Sequence, residues 1–305
     1  MVQPQDDIPD DTLWEAAAVL ANGLRSLFNR IESTLLLDRL SPGLPYWRAV
    51  LAYCRAGNLQ AVLDEDLHHL RSASGEDTLT AKGLRILAAS AAAPLSMRPS
   101  PYRAFDPDHP STSILLSSRF ALRYGSGRGQ QEDVRLPEVR AAFNSPFWPF
   151  VLLTSTSVGQ EGIDFHWWCH SVVHWNTPSN PVDFEQREGR VNRFGGHALR
   201  RNIGFAHRGD VLRSDERDPW KAAYDAARHT WPKLGDFCPY WVYPGPYAVQ
   251  RHLLPFPLSP DESRNQALKR SLAHYRLVLG QPRQEDLLAA LSTRASLPVL
   301  DLTPP

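Results

Sequence analysis

The sequence predicts an α/β protein. Three observations carry this: apolar residues at helical spacing in the first third, a Pro-rich stretch after it, and then short apolar runs alternating with polar or helical segments. That last pattern is βαβ alternation, which builds a mostly parallel sheet. From about residue 211 the chain is rich in Pro and aromatics and partly helical. The expected organisation is a helical N-terminal region and linker over 1–105, an α/β unit over 106–210 and a C-terminal extension over 211–305.

The elements follow in order. Leu13, Ala17, Leu20, Leu24, Leu27, Ile31 and Leu35 recur at helical spacing from Thr12 to about Leu40, with a break near Asn29. After the turn Ser41 to Pro45, a second helical stretch runs from Tyr46 to about Ser72, and a third from Thr80 to Ala92. Five prolines between Pro94 and Pro110 mark the linker. Strands are expected at Ile114 to Leu116, Phe150 to Leu153, Val172 to Trp175 and Ile203 to Phe205. Helices are expected near Glu262 to Leu279 and Gln284 to Leu291.

With 305 residues, 42% of them apolar, the chain can bury one or two cores. Its 33 Lys and Arg offset its 33 Asp and Glu, so any nucleic-acid site must be local. Only Lys82, Lys221, Lys233 and Lys269 are lysines; the other cations are arginines, suited to bidentate phosphate contacts. Cys54, Cys169 and Cys238 stand far apart without a C-x-x-C pair, which excludes a disulfide framework or cysteine zinc site and fits a reducing cytoplasm. The acidic N-terminus and the interrupted apolar stretch after it read as neither signal peptide nor membrane span.

The chemistry concentrates in LLTSTSVGQEGID (Leu152 to Asp164) and PSNPVDFEQREGRVNRFGG (Pro178 to Gly196). Asn180 is placed as an N-cap, Pro181 as the first helical residue and Asp183 in the first turn, where the helix dipole favours an acid. On that helix Gln186, Arg190 and Arg193 fall at i, i+4 and i+7 and share a face, with Gly189 leaving room beside them. Phe184 and Val191 turn to the sheet. Two fixed guanidiniums can clamp a phosphate; by spacing alone the face can equally be solvated and paired with Glu185 or Glu188.

In order and spacing the two segments resemble the second RecA-like lobe of superfamily 2 helicases and translocases, including DEAD-box, Swi/Snf-type and Cas3-type members. STSVGQEGID is similar to motif V and QREGRVNR to motif VI, Q-R-x-G-R-x-x-R. The resemblance implies a RecA-like parallel sheet flanked by helices. It implies that Thr156 touches the nucleic-acid backbone, that Gly162 and Asp164 meet the ribose of the nucleotide, that Gln186 approaches the γ-phosphate, and that Arg190 and Arg193 are arginine fingers. ILLSSRFALRYG resembles motif IV, which puts Ser118 and Arg119 on the backbone of DNA or RNA.

Such an enzyme binds ATP and Mg²⁺ through a first lobe with G-x-x-x-x-G-K-[ST] and an acidic box. None of the four lysines follows a glycine. LDEDLHHL (Leu63 to Leu70) lies in a helical pattern and reads as a solvated helix face. The expectation is a fragment, split-gene half or remnant that does not hydrolyse ATP alone and needs a first lobe in cis or in trans. The rival expectation is a non-catalytic RecA-like module that binds nucleic acid or protein.

Three further segments are read structurally. His166, Cys169 and His170 in HWWCH suit no common zinc spacing, and no metal is expected. Trp167 and Trp168 are expected to pack inward, and YGSGRGQ (Tyr124 to Gln130) to be a loop.

Overall fold

The computed structural model describes residues 8–75, 79–97, 101–105, 108–109, 111, 113–117, 121–124, 136–147, 150–154, 164–178, 180–254, 256 and 258–279. It is a mixed α/β structure. The expected helix at Gln284 to Leu291 and the loop 125–130 lie outside these residues.

Five helices open the chain: α1 (Asp10–Phe28), α2 (Ile31–Leu40), α3 (Tyr46–Ala56), α4 (Leu59–Ser74) and α5 (Ala81–Ser96). The break at Asn29 is where expected. The second helical stretch is two helices, because Asn58 takes the left-handed conformation (φ 51°) between α3 and α4. Helix α5 continues through Pro94, and Arg30 donates to the carbonyls of Leu95 and Met97, covering the orphan acceptors at its end. Helices α1 and α5 cross closely at Gly23, where a Cβ would lie 2.8 Å from Leu95 Cδ1.

Strands β1 (Pro101–Phe105) and β2 (Ser113–Ser117) pair antiparallel, and β3 (Ala121–Tyr124) pairs parallel with β4 (Val151–Thr154), with α6 (Leu136–Phe143) between them. Strand β5 (Ser171–His174) is followed by α7 (Pro181–Gly189), α8 (His197–Arg213), α9 (Pro219–Arg228), a 3₁₀ turn (Pro232–Phe237), β6 (Gln250–Leu253) and α10 (Asp261–Leu279). Strand β6 pairs parallel with β5, in register from Ser171 with Gln250 to His174 with Leu253. The parallel pairing is as expected, but Ile203 to Phe205 is not a strand: it lies inside α8, where Leu199 and Ile203 bury against Ala223, Tyr224 and Ala227 of α9. The same helix runs through residue 210. Among the described residues no helix is long and apolar enough to cross a membrane.

The N-terminal helices dock on the rest through α4, which corrects the expectation of a solvated LDEDLHHL face. Asp66 and His69 are buried. Glu65 Oε1 accepts from Arg200 Nε of α8 at 2.8 Å, and Arg200 is fully buried. Arg200 also donates to the carbonyls of Gly195 (2.9 Å) and Trp167, and its guanidinium lies 5.2 Å from the Trp168 ring centre. His68 pairs with Asp218 at 2.7 Å, and Asp218 also caps α9 by accepting from the Trp220 and Lys221 amides. Trp167 packs on His69, so the tryptophans turn inward as expected.

Removing one member of a buried ion pair strands the other. Arg200→Leu is therefore expected to destabilise the fold by about 3 kcal/mol or more, read by chemical denaturation; a loss below about 1 kcal/mol contradicts this role.

Burial raises the Asp66 carboxyl to about 7, and burial lowers His166 to about 4 and His197 to about 3, with His69 also held well below its usual range. Unfolding lets the three histidines take up protons below about pH 6.5, so their contribution to stability is lost as pH falls toward 4. Asp66 has the opposite sign, since its folded form holds a proton the unfolded form gives up, and stability drops as pH rises through about 7. Melting temperature should fall from pH 6.5 to 4, more steeply in Asp66→Asn, which should also melt above the parent at pH 8; superimposable pH curves would refute the assignment.

Candidate functional site

Helix α7 begins as its sequence dictates. Asn180 is extended and its Oδ1 accepts the Asp183 amide at 2.8 Å, with Pro181 first in the helix. Phe184 and Val191 are buried, as expected. Glu188, by contrast, is no surface partner. It is 1% exposed and takes a bidentate contact from Arg251 of β6, with His174 of β5 at 3.4 Å. Arg251 and His174 both lie on the Phe184 ring, at 4.3 Å from its centre. This buried group fastens α7 to β5 and β6.

The helix stops at Gly189, and this changes the geometry of the candidate arginines. Gln186 is exposed on α7, Arg190 caps its C-terminal end, and Arg193 sits in the following turn, so the three do not share one helical face. Glu188 O accepts from both the Val191 and Asn192 amides at 2.9 Å, and the Gly196 amide bonds Arg193 O at 3.0 Å. Gly195 is left-handed (φ +60°), and a Cβ at Gly196 would lie 3.0 Å from Arg193 O, so the turn needs the Gly-Gly pair.

That turn brings Arg193 to Asp164. Arg193 Nε lies 2.8 Å from Asp164 Oδ1 without hydrogen-bond alignment, and both side chains are about a third exposed, at 38% and 30%. The end of the motif V-like segment is strapped to the arginine turn by backbone: the Phe165 amide bonds Arg190 O at 2.9 Å and the His197 amide bonds His166 O at 3.0 Å. Asn144 at the end of α6 donates to Asp164 O at 2.9 Å. The Arg190 side chain has no ion pair or hydrogen bond among the described residues, partial burial lowers its pKa, and a Cβ at Gly189 would meet nothing within 4 Å. A partly desolvated guanidinium without a carboxylate partner and a weakly paired one three residues on are side chains of the kind that bind anions.

Of the residues singled out by sequence, the structure thus joins Asp164, Arg190 and Arg193 and leaves Gln186 on the exposed side of α7. Ser118, Arg119, Thr156 and Gly162 lie outside the described residues. His166, Cys169 and His170 are engaged separately: His166 packs on Trp167, Cys169 donates to Ser171 O, and His170 pairs with His197 at 3.0 Å. Sequence reasoning missed Asn144, Arg200 and Tyr240, whose carbonyl accepts the Gly195 amide at 2.8 Å. The Phe-Gly-Gly that follows Arg193 was the available signal of a turn needing such supports.

A side chain at Gly195 would be held in a left-handed backbone, which costs about 1–2 kcal/mol. Gly195→Ala is expected to lower the melting temperature by a few degrees and to speed amide exchange over the arginine turn; no change in either would remove the turn from the argument.

Residues 112–195 match the family model of the helicase conserved C-terminal domain. No curated protein and no solved structure matches the chain. The matched span runs from the residue before β2 through the Asp164–Arg193 pair to Gly195. The match supports a helicase C-terminal lobe, RecA-like in type, over residues 112–195, and helix α5 before it packs against α6 within it.

Proposed function

We propose that this chain supplies the second lobe of an ATP-dependent DNA or RNA helicase or translocase of superfamily 2, and that its ATP site is completed by a first lobe in cis or in trans. The observation that carries the reading is the arginine turn: Arg190 unpaired, Arg193 loosely paired with Asp164, both within the helicase C-terminal match. The residues fit a nucleotide phosphate in kind, since the Arg190 side chain has no carboxylate partner among the described residues and the Arg193–Asp164 pair is about a third exposed. ATP, bound with Mg²⁺ on the first lobe, would supply the phosphoryl group on which charge builds during transfer.

Arg190 and Arg193 would neutralise that charge, and Gln186 would approach the terminal phosphate. The Arg193–Asp164 contact does not oppose this. A pair this exposed contributes about 0–1 kcal/mol, so a phosphate can displace Asp164, freeing its carboxylate, with Gly162, for the ribose. Thr156, Ser118 and Arg119 would meet the nucleic-acid backbone. A cytoplasmic setting goes with nucleotide and nucleic acid as partners.

One observation favours the second reading, a non-catalytic module that binds nucleic acid or protein: Arg193 already has a carboxylate partner within the fold. Turnover separates the two. In an assembly with a first lobe that carries a phosphate loop and acidic box, Arg193→Ala should cut ATP hydrolysis by about 10³ to 10⁵ while nucleic-acid binding stays within about twofold. Unchanged hydrolysis would leave the non-catalytic reading standing.

A further inference from the structure

We propose that the C-terminal extension positions the arginine turn, and that Tyr240 is its positioning residue. The inference rests on reading Arg190 and Arg193 as the anion-contacting pair.

The turn cannot hold its own shape. After α7 ends at Gly189, its internal hydrogen bonds finish with the Gly196 amide on Arg193 O. The next residues are held from outside. Gly195 donates its amide to Tyr240 O at 2.8 Å, and its carbonyl accepts from Arg200 at 2.9 Å. Phe194, bonded directly to Arg193, stacks on the Tyr240 ring at 5.2 Å and 9° and meets Trp241 edge-on at 5.8 Å.

Tyr240 is itself fixed. Its ring stacks on Tyr224 of α9 at 5.3 Å and 15°, and its hydroxyl accepts from Arg228. Tyr224 stacks on His68 of α4 at 5.9 Å. Phe237 O accepts from the Trp241 amide at 2.8 Å and the Val242 amide at 3.2 Å, which sets the bend that presents Tyr240. A row of four rings, Phe194, Tyr240, Tyr224 and His68, thus runs from the arginine turn to the N-terminal helices.

Core filling does not explain the outer end of this row, since Phe194 is 48% exposed. A half-exposed phenyl clamped between two aromatics, next to an arginine that must meet a phosphate, is placed for alignment. Alignment is what such a residue needs, because a misplacement of about 1 Å can cost about 10² in rate. Tyr240 acts through two groups, its carbonyl and its ring, and touches no phosphate itself.

The test uses the full chain with Tyr240→Leu, Tyr240→Phe, Phe194→Leu and Arg193→Ala. Three readouts are taken: amide hydrogen exchange over residues 190–196 with α8 as internal control, the Nε–Hε resonance of Arg193, and titration with inorganic tripolyphosphate. Tyr240→Leu and Phe194→Leu should speed exchange in the turn about tenfold, shift the Arg193 resonance and weaken tripolyphosphate binding several-fold, with α8 unchanged. Tyr240→Phe keeps ring and carbonyl and should behave as the parent.

Unchanged exchange in both leucine variants, or acceleration spread equally through α8, overturns the proposal. The two readings fail separately. If Arg193→Ala binds tripolyphosphate as the parent does while Tyr240→Leu still frees the turn, positioning stands and the arginine site falls. If Arg193→Ala loses binding and the leucine variants change nothing, only the positioning role falls.

Discussion

The buried guanidinium of Arg200 is the constraint on which the rest of the structure depends. A cation with no solvent exposure must find carboxylate and carbonyl partners inside the protein, and Arg200 draws them from three places: Glu65 in the N-terminal helices, Trp167 after the motif V-like segment, and Gly195 in the arginine turn. Each partner is thereby fixed relative to the others. The helices before the helicase match and those after it are consequently parts of one packed unit, with α4 lying against α9 and the loop 166–168 between them.

Asp66 and its histidine neighbours follow from the same constraint. Space around a buried cation is dry, so a second carboxyl there is pushed toward its neutral form and imidazoles are kept from protonating. The seam carries the Arg200–Glu65 pair together with imidazoles, His69, His166 and His197, that burial keeps from protonating. Such an interface is specific in geometry, because each polar atom needs its partner, and sensitive to proton concentration.

What could be read from sequence was what is local. The Asn180 cap, the start at Pro181 and the burial of Phe184 depend on neighbours within one turn, and the structure has them as expected. The end of that helix at Gly189 was harder, because Arg190 to Arg193 keeps a helical residue pattern while the Gly195–Gly196 turn and outside supports bend the chain away. Ile203 to Phe205 was misjudged because a short apolar run does not distinguish a strand from a buried helix stretch. LDEDLHHL looked solvated since its partner, Arg200, lies 135 residues from Glu65. Motif order, by contrast, needs no tertiary knowledge, and the helicase match over 112–195 was legible from it.

The pairing of β5 with β6 bears on how the chain is made. Strand β5 ends at His174 and the strand that accepts its hydrogen bonds begins at Gln250, so the ribosome must deliver α7, α8 and α9 before β5 meets that neighbour. Until then the valines of β5 and the carboxylate of Glu188 wait for Arg251, the latter without the cation that makes its burial tolerable. Parallel pairing across so long an interval is slow to form, because the loop must close before any contact rewards it. The newborn protein therefore passes through a stage in which the helices through α9 are made and the edge of β5 is bare, the kind of edge that invites wrong pairing.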